Sequence, residues 1–126
     1  MASFGTAGKK QDLLIKQGCS YSIPFRYTDE LGAPKDLTGC TVRSQIRKTI
    51  KSPTITETFA PLISPDPSTG LFTLSLTALQ TSAIPAGDGP DAAESKYVYD
   101  VELVSAGGVV TPLAYGVVRI HPEVTR

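Results

Sequence analysis

Apolar and polar residues alternate with a period of two along most of this chain, the mark of strands with one buried face. From Cys19 to Tyr27, Tyr21, Ile23, Phe25 and Tyr27 fall on one face and Ser20, Ser22 and Arg26 on the other. Pro24 joins the polar face; lacking an N–H, it points to an edge or a bulge. Leu13, Leu14 and Ile15 form a short apolar run before it, a candidate first strand. Val42, Ser44 and Ile46 then alternate with Thr41, Arg43, Gln45 and Arg47. A Thr- and Ile-rich run from Thr54 to Ile63 predicts a further strand. Phe72, Leu74 and Leu76 alternate with Thr73 and Ser75. From Lys96 to Val104, Tyr97, Tyr99, Val101 and Leu103 point inward and Val98, Asp100, Glu102 and Val104 outward. The last run, Val109 to Ile120, contains Pro112 and Gly116, which predicts an irregular or bulged strand.

Turn chemistry separates these runs. Asp29 to Pro34 and Ser64 to Gly70 are rich in Pro, Gly, Asp and Ser, and Ala106-Gly107-Gly108 signals a hairpin. Thr77-Ala78-Leu79-Gln80 fits a capping box that opens one or two helical turns, stopped before Pro85. The stretch from Pro85 to Glu94 is a loop of Gly, Asp, Pro and Ala, with the mobility such loops have. The pattern predicts an all-β protein: an antiparallel β-sandwich of about seven strands with one short helical turn. Residues 1–10 read as a flexible N-terminal arm with Phe4 as its apolar anchor, and 11–126 as a single domain.

Composition narrows the function. With 126 residues the chain holds one core, and 12 basic side chains balance 12 acidic ones, which argues against a dedicated nucleic-acid binder. The balance is uneven along the chain. Residues 1–63 hold nine basic and five acidic side chains, and residues 64–126 three and seven. Such a split favours association through opposite patches unless the fold mixes the two halves. No apolar run has the length of a secretory signal or of a membrane helix, so assembly in a cytoplasm is expected and no membrane partner is. Cys19 and Cys40 are expected as free thiols; each begins one of two successive strands, and were those strands to pair antiparallel the two would sit at opposite ends of the hairpin, beyond disulfide reach.

Candidate chemistry is sparse. His121, the one histidine, stands beside Pro122 near the C-terminus without the partners a triad or zinc site needs, and reads as a surface residue. Asp100 and Glu102 share a strand face about 7 Å apart, a spacing open to acid–base work or a cation but more simply met by a neighbouring Arg or Lys. Asp88, Asp91 and Glu94 lack the order of a calcium loop and read as loop chemistry. No nucleotide or hydrolase fingerprint occurs, so neither a catalytic set nor a cofactor is expected and the chain does not read as an enzyme. Arg43, Arg47, Lys48 and Lys51 form the densest basic patch; with Phe4 they are the candidate partner contacts, against the simpler reading of a solvated face.

Several strings in order carry a resemblance. They are Gln17-Gly18, Thr28-Asp29-Glu30 with Gly32, Asp36-Leu37-Thr38-Gly39, Gln45-Ile46-Arg47, Tyr99-Asp100-Val101-Glu102-Leu103, Gly116, and the terminal Pro122-Glu123-Val124-Thr125-Arg126. From about Leu13 to Arg126 the chain resembles small virion proteins of tailed phages, and within them the immunoglobulin-like N-terminal domain of baseplate upper proteins, which attaches receptor-binding or fibre components. The resemblance implies an immunoglobulin-like sandwich. It also implies a structural tail, baseplate or fibre-adaptor protein that acts through protein–protein contacts with other virion proteins. A homo-oligomer in the particle, assembled in the bacterial host cytoplasm, goes with it. In that family the domain continues into further modules, whereas this sequence ends at Arg126, so a free-standing adaptor, hub or decoration subunit is the expectation. A capsid decoration protein is the alternative of the same class, and a carbohydrate-binding β-sandwich the alternative of another.

Overall fold

A computed structural model describes residues 2–4, 9–86 and 95–123, with only the backbone described for 2–4. The expected loop 85–94 therefore lies outside the described residues from 87 on, as do most of the arm's first eight residues and the side chain of Phe4.

Ten strands are present among the described residues: β1 (Ala2–Phe4), β2 (Lys9–Lys10), β3 (Leu13–Lys16), β4 (Tyr21–Tyr27), β5 (Thr41–Arg47), β6 (Glu57–Thr58), β7 (Ala60–Ile63), β8 (Leu71–Leu76), β9 (Ser95–Val104) and β10 (Val110–His121). One sheet runs β1-β4-β8-β7. The other runs β2-β10-β9-β5-β6, with β3 also on β10. The protein is an all-β sandwich. Its strand order is that of immunoglobulin domains, with β4, β8 and β7 in the places of B, E and D and β10, β9, β5 and β6 in those of G, F, C and C′. Tyr97, at the start of β9, donates its hydroxyl to Pro85 O at 2.5 Å, the counterpart of the tyrosine corner of that fold.

Helix α1 (Ala78–Ala83) starts where the capping box places it: Thr77 Oγ1 accepts from Gln80 N, and Gln80 Oε1 accepts from Thr77 N. A 3-10 turn at Pro67–Thr69, with Asp66 as its cap, occupies the predicted turn before β8.

The main pairings are antiparallel as expected, β4 with β8, β7 with β8, β5 with β9 and β9 with β10, and to them are added short parallel pairings of β1 with β4 and of β2 and β3 with β10. Alternation marks which face is buried but carries no strand direction. The run from Thr54 to Ile63 is not one strand. Its first part, β6, joins β5 in one sheet and its second, β7, joins β8 in the other, with buried Phe59 at the crossing. The strands that Cys19 and Cys40 precede do not pair with each other but lie in different sheets, and both thiols are free.

The core is the set of alternating inward residues, joined by Leu37, Phe59 and Ile84 from outside the regular strands. Phe25 stacks on Phe72 at 5.3 Å between ring centroids. Phe59 bridges Tyr21 and Tyr99 at 6.5 and 6.2 Å, so an aromatic chain crosses between the sheets.

Candidate functional site

The outward positions of β5, β9 and β10 make a single surface, and pairing register turns it into a grid. One row across the strands is Gln45, Asp100, Tyr115 and, on β2, Lys10. The next is Arg47, Val98 and Val117; beyond it Lys96 lies beside Arg119, and on the other side Arg43 lies beside Glu102. Period-two alternation alone positions the β5 and β9 members.

Tyr115 faces outward for a different reason. Leu113 and Ala114 are both buried, because the β10 register shifts by one between Pro112 and Ala114. That bulge reverses the alternation and sends Tyr115, half-exposed, to the outer face. Gly116 beside it faces in, where Gln11 O would lie 2.4 Å from any Cβ, so only glycine lets the β2–β3 segment close on β10.

The result is a groove of about 610 Å³ on the outer face, with Val98, Val117, Tyr115 and Ile50 as its apolar surface and Lys10 and Arg47 among its charged groups. Burial in this groove is the main cause raising the Asp100 carboxyl above its ordinary pKa; Glu102 adds to it and Arg43 and Arg47 oppose it. Glu102 is paired, its Oε1 2.7 Å from Arg43 Nε. Among the described residues no group of three His, Cys, Asp or Glu side chains could hold a metal ion.

The structure brings only part of the expected contact set together. Arg43 and Arg47 share the face. Arg43 is spent on Glu102, and Arg47 donates to Ser52 O at 2.9 Å and to Gln45 Oε1 at 3.0 Å. Lys48 turns the other way, its Nζ 4.6 Å from the Tyr97 ring centroid, and Lys51 is exposed in the turn after β5. Phe4 sits in β1 opposite Tyr27, its side chain outside the described residues. His121 is exposed at the end of β10. Sequence reasoning missed Lys10, Ile50 and Tyr115. The irregularity expected from Pro112 and Gly116 in this strand hinted at Tyr115, but the sequence does not fix where the inward set shifts by one.

Three of the strings singled out by resemblance fall on turns, while Gln45-Ile46-Arg47, Tyr99 to Leu103 and Gly116 lie in β5, β9 and β10. Asp29 Oδ1 accepts from Leu31 N and Ala33 N, both at 2.9 Å, around Gly32 at φ +84°. Asp36 Oδ1 accepts from Thr38 N at 2.9 Å and Thr38 Oγ1 at 2.6 Å, which holds its carboxyl below the ordinary value, while Leu37 is buried. Gln17 and Glu123, over a hundred residues apart, meet. Gln17 donates to Ile84 O at 3.0 Å and accepts from Glu123 N at 3.1 Å. Gly18, at φ +83°, donates to Thr81 Oγ1, and a Cβ there would fall 2.1 Å from Glu123 Oε2.

No family model matches this chain, and no curated protein matches it. Among solved structures, the bradyzoite-specific antigen BSR4 of Toxoplasma gondii aligns over 92% of this chain at 8% identity and a TM-score of 0.33. The chain spans 44% of that structure's length, and at this level of superposition the match bears on neither role nor partner. No helix among the described residues is long and apolar enough to cross a membrane.

Proposed function

We propose that this chain is a structural virion protein of a tailed bacteriophage, a tail, baseplate or fibre-adaptor subunit that works by protein–protein contact. The observation that carries the reading is where the strings of the resemblance fall. Gln17-Gly18 with Glu123, Asp29 with Gly32, and Asp36 to Gly39 are spent on locking turns and fastening the C-terminal end to the helix-bearing pole. What resembles the baseplate domains is thus part scaffold and part surface, since Gln45, Arg47, Asp100 and Glu102 of the same strings lie on the exposed grid of the six-stranded sheet, the face we assign to partners. Mixed charge around an apolar centre is the composition of a contact surface rather than of a bare solvated one.

The test is mass spectrometry of purified particles separated into head and tail fractions. Enrichment with tails supports the adaptor reading. Enrichment with heads moves the protein to capsid decoration, and absence from both overturns the virion role.

A second reading has one observation in its favour. Tyr115, half-exposed in the groove beside Asp100 and Gln45, is the arrangement of an aromatic platform with polar neighbours that a sugar ring uses. Binding on a glycan array that is lost in Tyr115→Ala supports the carbohydrate module; a blank array removes it.

A further inference from the structure

We infer that the outer face of the six-stranded sheet recognises a second copy of this chain, about a two-fold axis that passes through Val98 and Val117. The inference rests on the protein-contact reading above and deepens it by naming one surface and its occupant.

The outward row of β9 reads Lys96, Val98, Asp100, Glu102: basic, apolar, acidic. Glu102 already has Arg43. Neither the Asp100 carboxylate nor the Lys96 ammonium has a hydrogen bond or ion pair among the described residues. They lie four residues apart, about 13 Å along the strand, with Val98 midway. A two-fold axis perpendicular to β9, lying between two stacked sheets and crossing at Val98, carries Lys96 of one copy onto Asp100 of the other and the reverse. Each then gains one bonded partner, and the Lys96–Asp100 pair forms twice in the dimer; Arg43 and Arg47 act on Asp100 only through space.

The same axis suits β10. Val117 is the register partner of Val98, so it lies on the axis too, and Tyr115 and Arg119 exchange across it. The centre of the contact is therefore apolar, with exposed Ile50 and Tyr115 adding surface around it. Arg47 lies on the same row, so the axis brings it toward its symmetry mate at the β5 edge, a like-charge approach that counts against the contact there; each guanidinium is held by Ser52 O and Gln45 Oε1 of its own copy. Two sheets stacked this way keep their strands nearly aligned about 10 Å apart, the ordinary geometry of face-to-face packing. An isologous contact needs a self-complementary patch, which is what a basic–apolar–acidic row supplies. A purely acidic partner would leave Asp100 against like charge, and a purely basic one would do the same to Lys96.

The test is sedimentation velocity of the full chain from about 1 to 500 µM, the range in which weak to moderate association is read. The wild type is expected to dimerise within it. Asp100→Lys and Lys96→Asp are each expected to weaken the dimer at least tenfold, and the double exchange, which restores opposite charges across the axis, to recover it. Both positions are exposed, and unchanged thermal midpoints of the monomers confirm that each variant folds. Val98→Arg, on the axis itself, is a second probe expected to abolish the dimer. A wild type monomeric throughout overturns the inference, and so do single exchanges without effect or a double exchange that fails to recover. A monomer that binds glycans through Tyr115 overturns it in favour of the sugar reading. A monomeric chain that is nevertheless present in tails overturns this contact alone. Absence from particles overturns the virion role and leaves the dimer to stand on its own measurement.

Discussion

The two sheets turn very different faces to solvent. Outside the six-stranded sheet lie Lys10, Arg43, Arg47, Lys96, Asp100, Glu102 and Arg119 around Tyr115, Val98 and Val117. The corresponding positions of the four-stranded sheet are Ser22, Pro24 and Arg26 on β4, Leu71, Thr73 and Ser75 on β8, and Ala60 and Leu62 on β7. Among the described residues that face carries one charge, Arg26, with small side chains and two leucines, of which Leu62 is exposed. Both faces cover the same core, so packing does not explain the contrast. A solvated sheet asks little of its outer residues, and Ser and Thr meet that demand. A groove with carboxylates, guanidiniums and an exposed tyrosine is more than solubility requires, which is why the six-stranded face is the one we propose for contact.

Breaking what the faces share gives the largest effect. Phe59 lies where the chain passes from one sheet to the other and packs between Tyr21 and Tyr99. Phe59→Ala is expected to cost about 3–5 kcal/mol in urea unfolding, the range for a large core truncation.

Alkali is the next lever on that shared core. Burial pushes the Tyr21 phenol up to about 12, and burial together with Tyr21 and Asp12 raises Tyr99 further above the ordinary 10.0. In the unfolded chain both phenols ionise near 10, so the unfolded state loses protons first. The stability these groups give is full below pH 10 and is lost as pH rises through the folded values. Thermal midpoints are expected to fall steeply above pH 10, and Tyr21→Phe to make the fall shallower; a flat profile to pH 12 would contradict the burial.

At the pole, Gly18→Ala is expected to cost about 1–2 kcal/mol for a left-handed residue, plus the displacement of Glu123. Glu123→Ala in the same chain should relieve the second part and leave the first. Equal costs in both backgrounds would mean that the Glu123 side chain is not held against Gly18.

The smallest effects sharpen the contrast between faces most directly. Arg43 and Glu102 are partly exposed, so Arg43→Ala should lower stability by less than about 1 kcal/mol and the difference should fade in high salt. Thr73→Val on the other face should change stability by no more than about 0.5 kcal/mol and leave self-association untouched. An effect of Thr73→Val on association would move the contact to the four-stranded sheet.

Much of this was legible in the residues themselves, because the signals are local. Alternation identified the buried sides of β4, β5, β8 and β9, Thr77 and Gln80 marked the helix start, and Pro112 marked the bulge. Part of the candidate surface follows from the same alternation, which places Arg43, Gln45, Arg47, Val98, Asp100 and Glu102 outward. Lys10 and Ile50 are not placed by it, since each reaches the groove from a segment whose position depends on what it pairs with or folds over. Tyr115 needed the exact place of the bulge, as a slip of one residue reverses a strand's faces.

The chain alone therefore determined its class: short strands with one apolar face each, stopped by turns that Asp29, Asp36, Asp66 and several glycines lock within a few residues. Such features need only neighbours in sequence. Only the tertiary structure decided which strands became partners, in which direction, and in which sheet. Parallel pairing of β3 with β10, the division of residues 54–63 between the sheets, and the meeting of Gln17 with Glu123 all join distant segments. Contacts of that kind form because apolar faces must be covered and edge groups must find hydrogen bonds, and a period-two pattern satisfies both demands equally well with more than one partner until the whole sandwich closes.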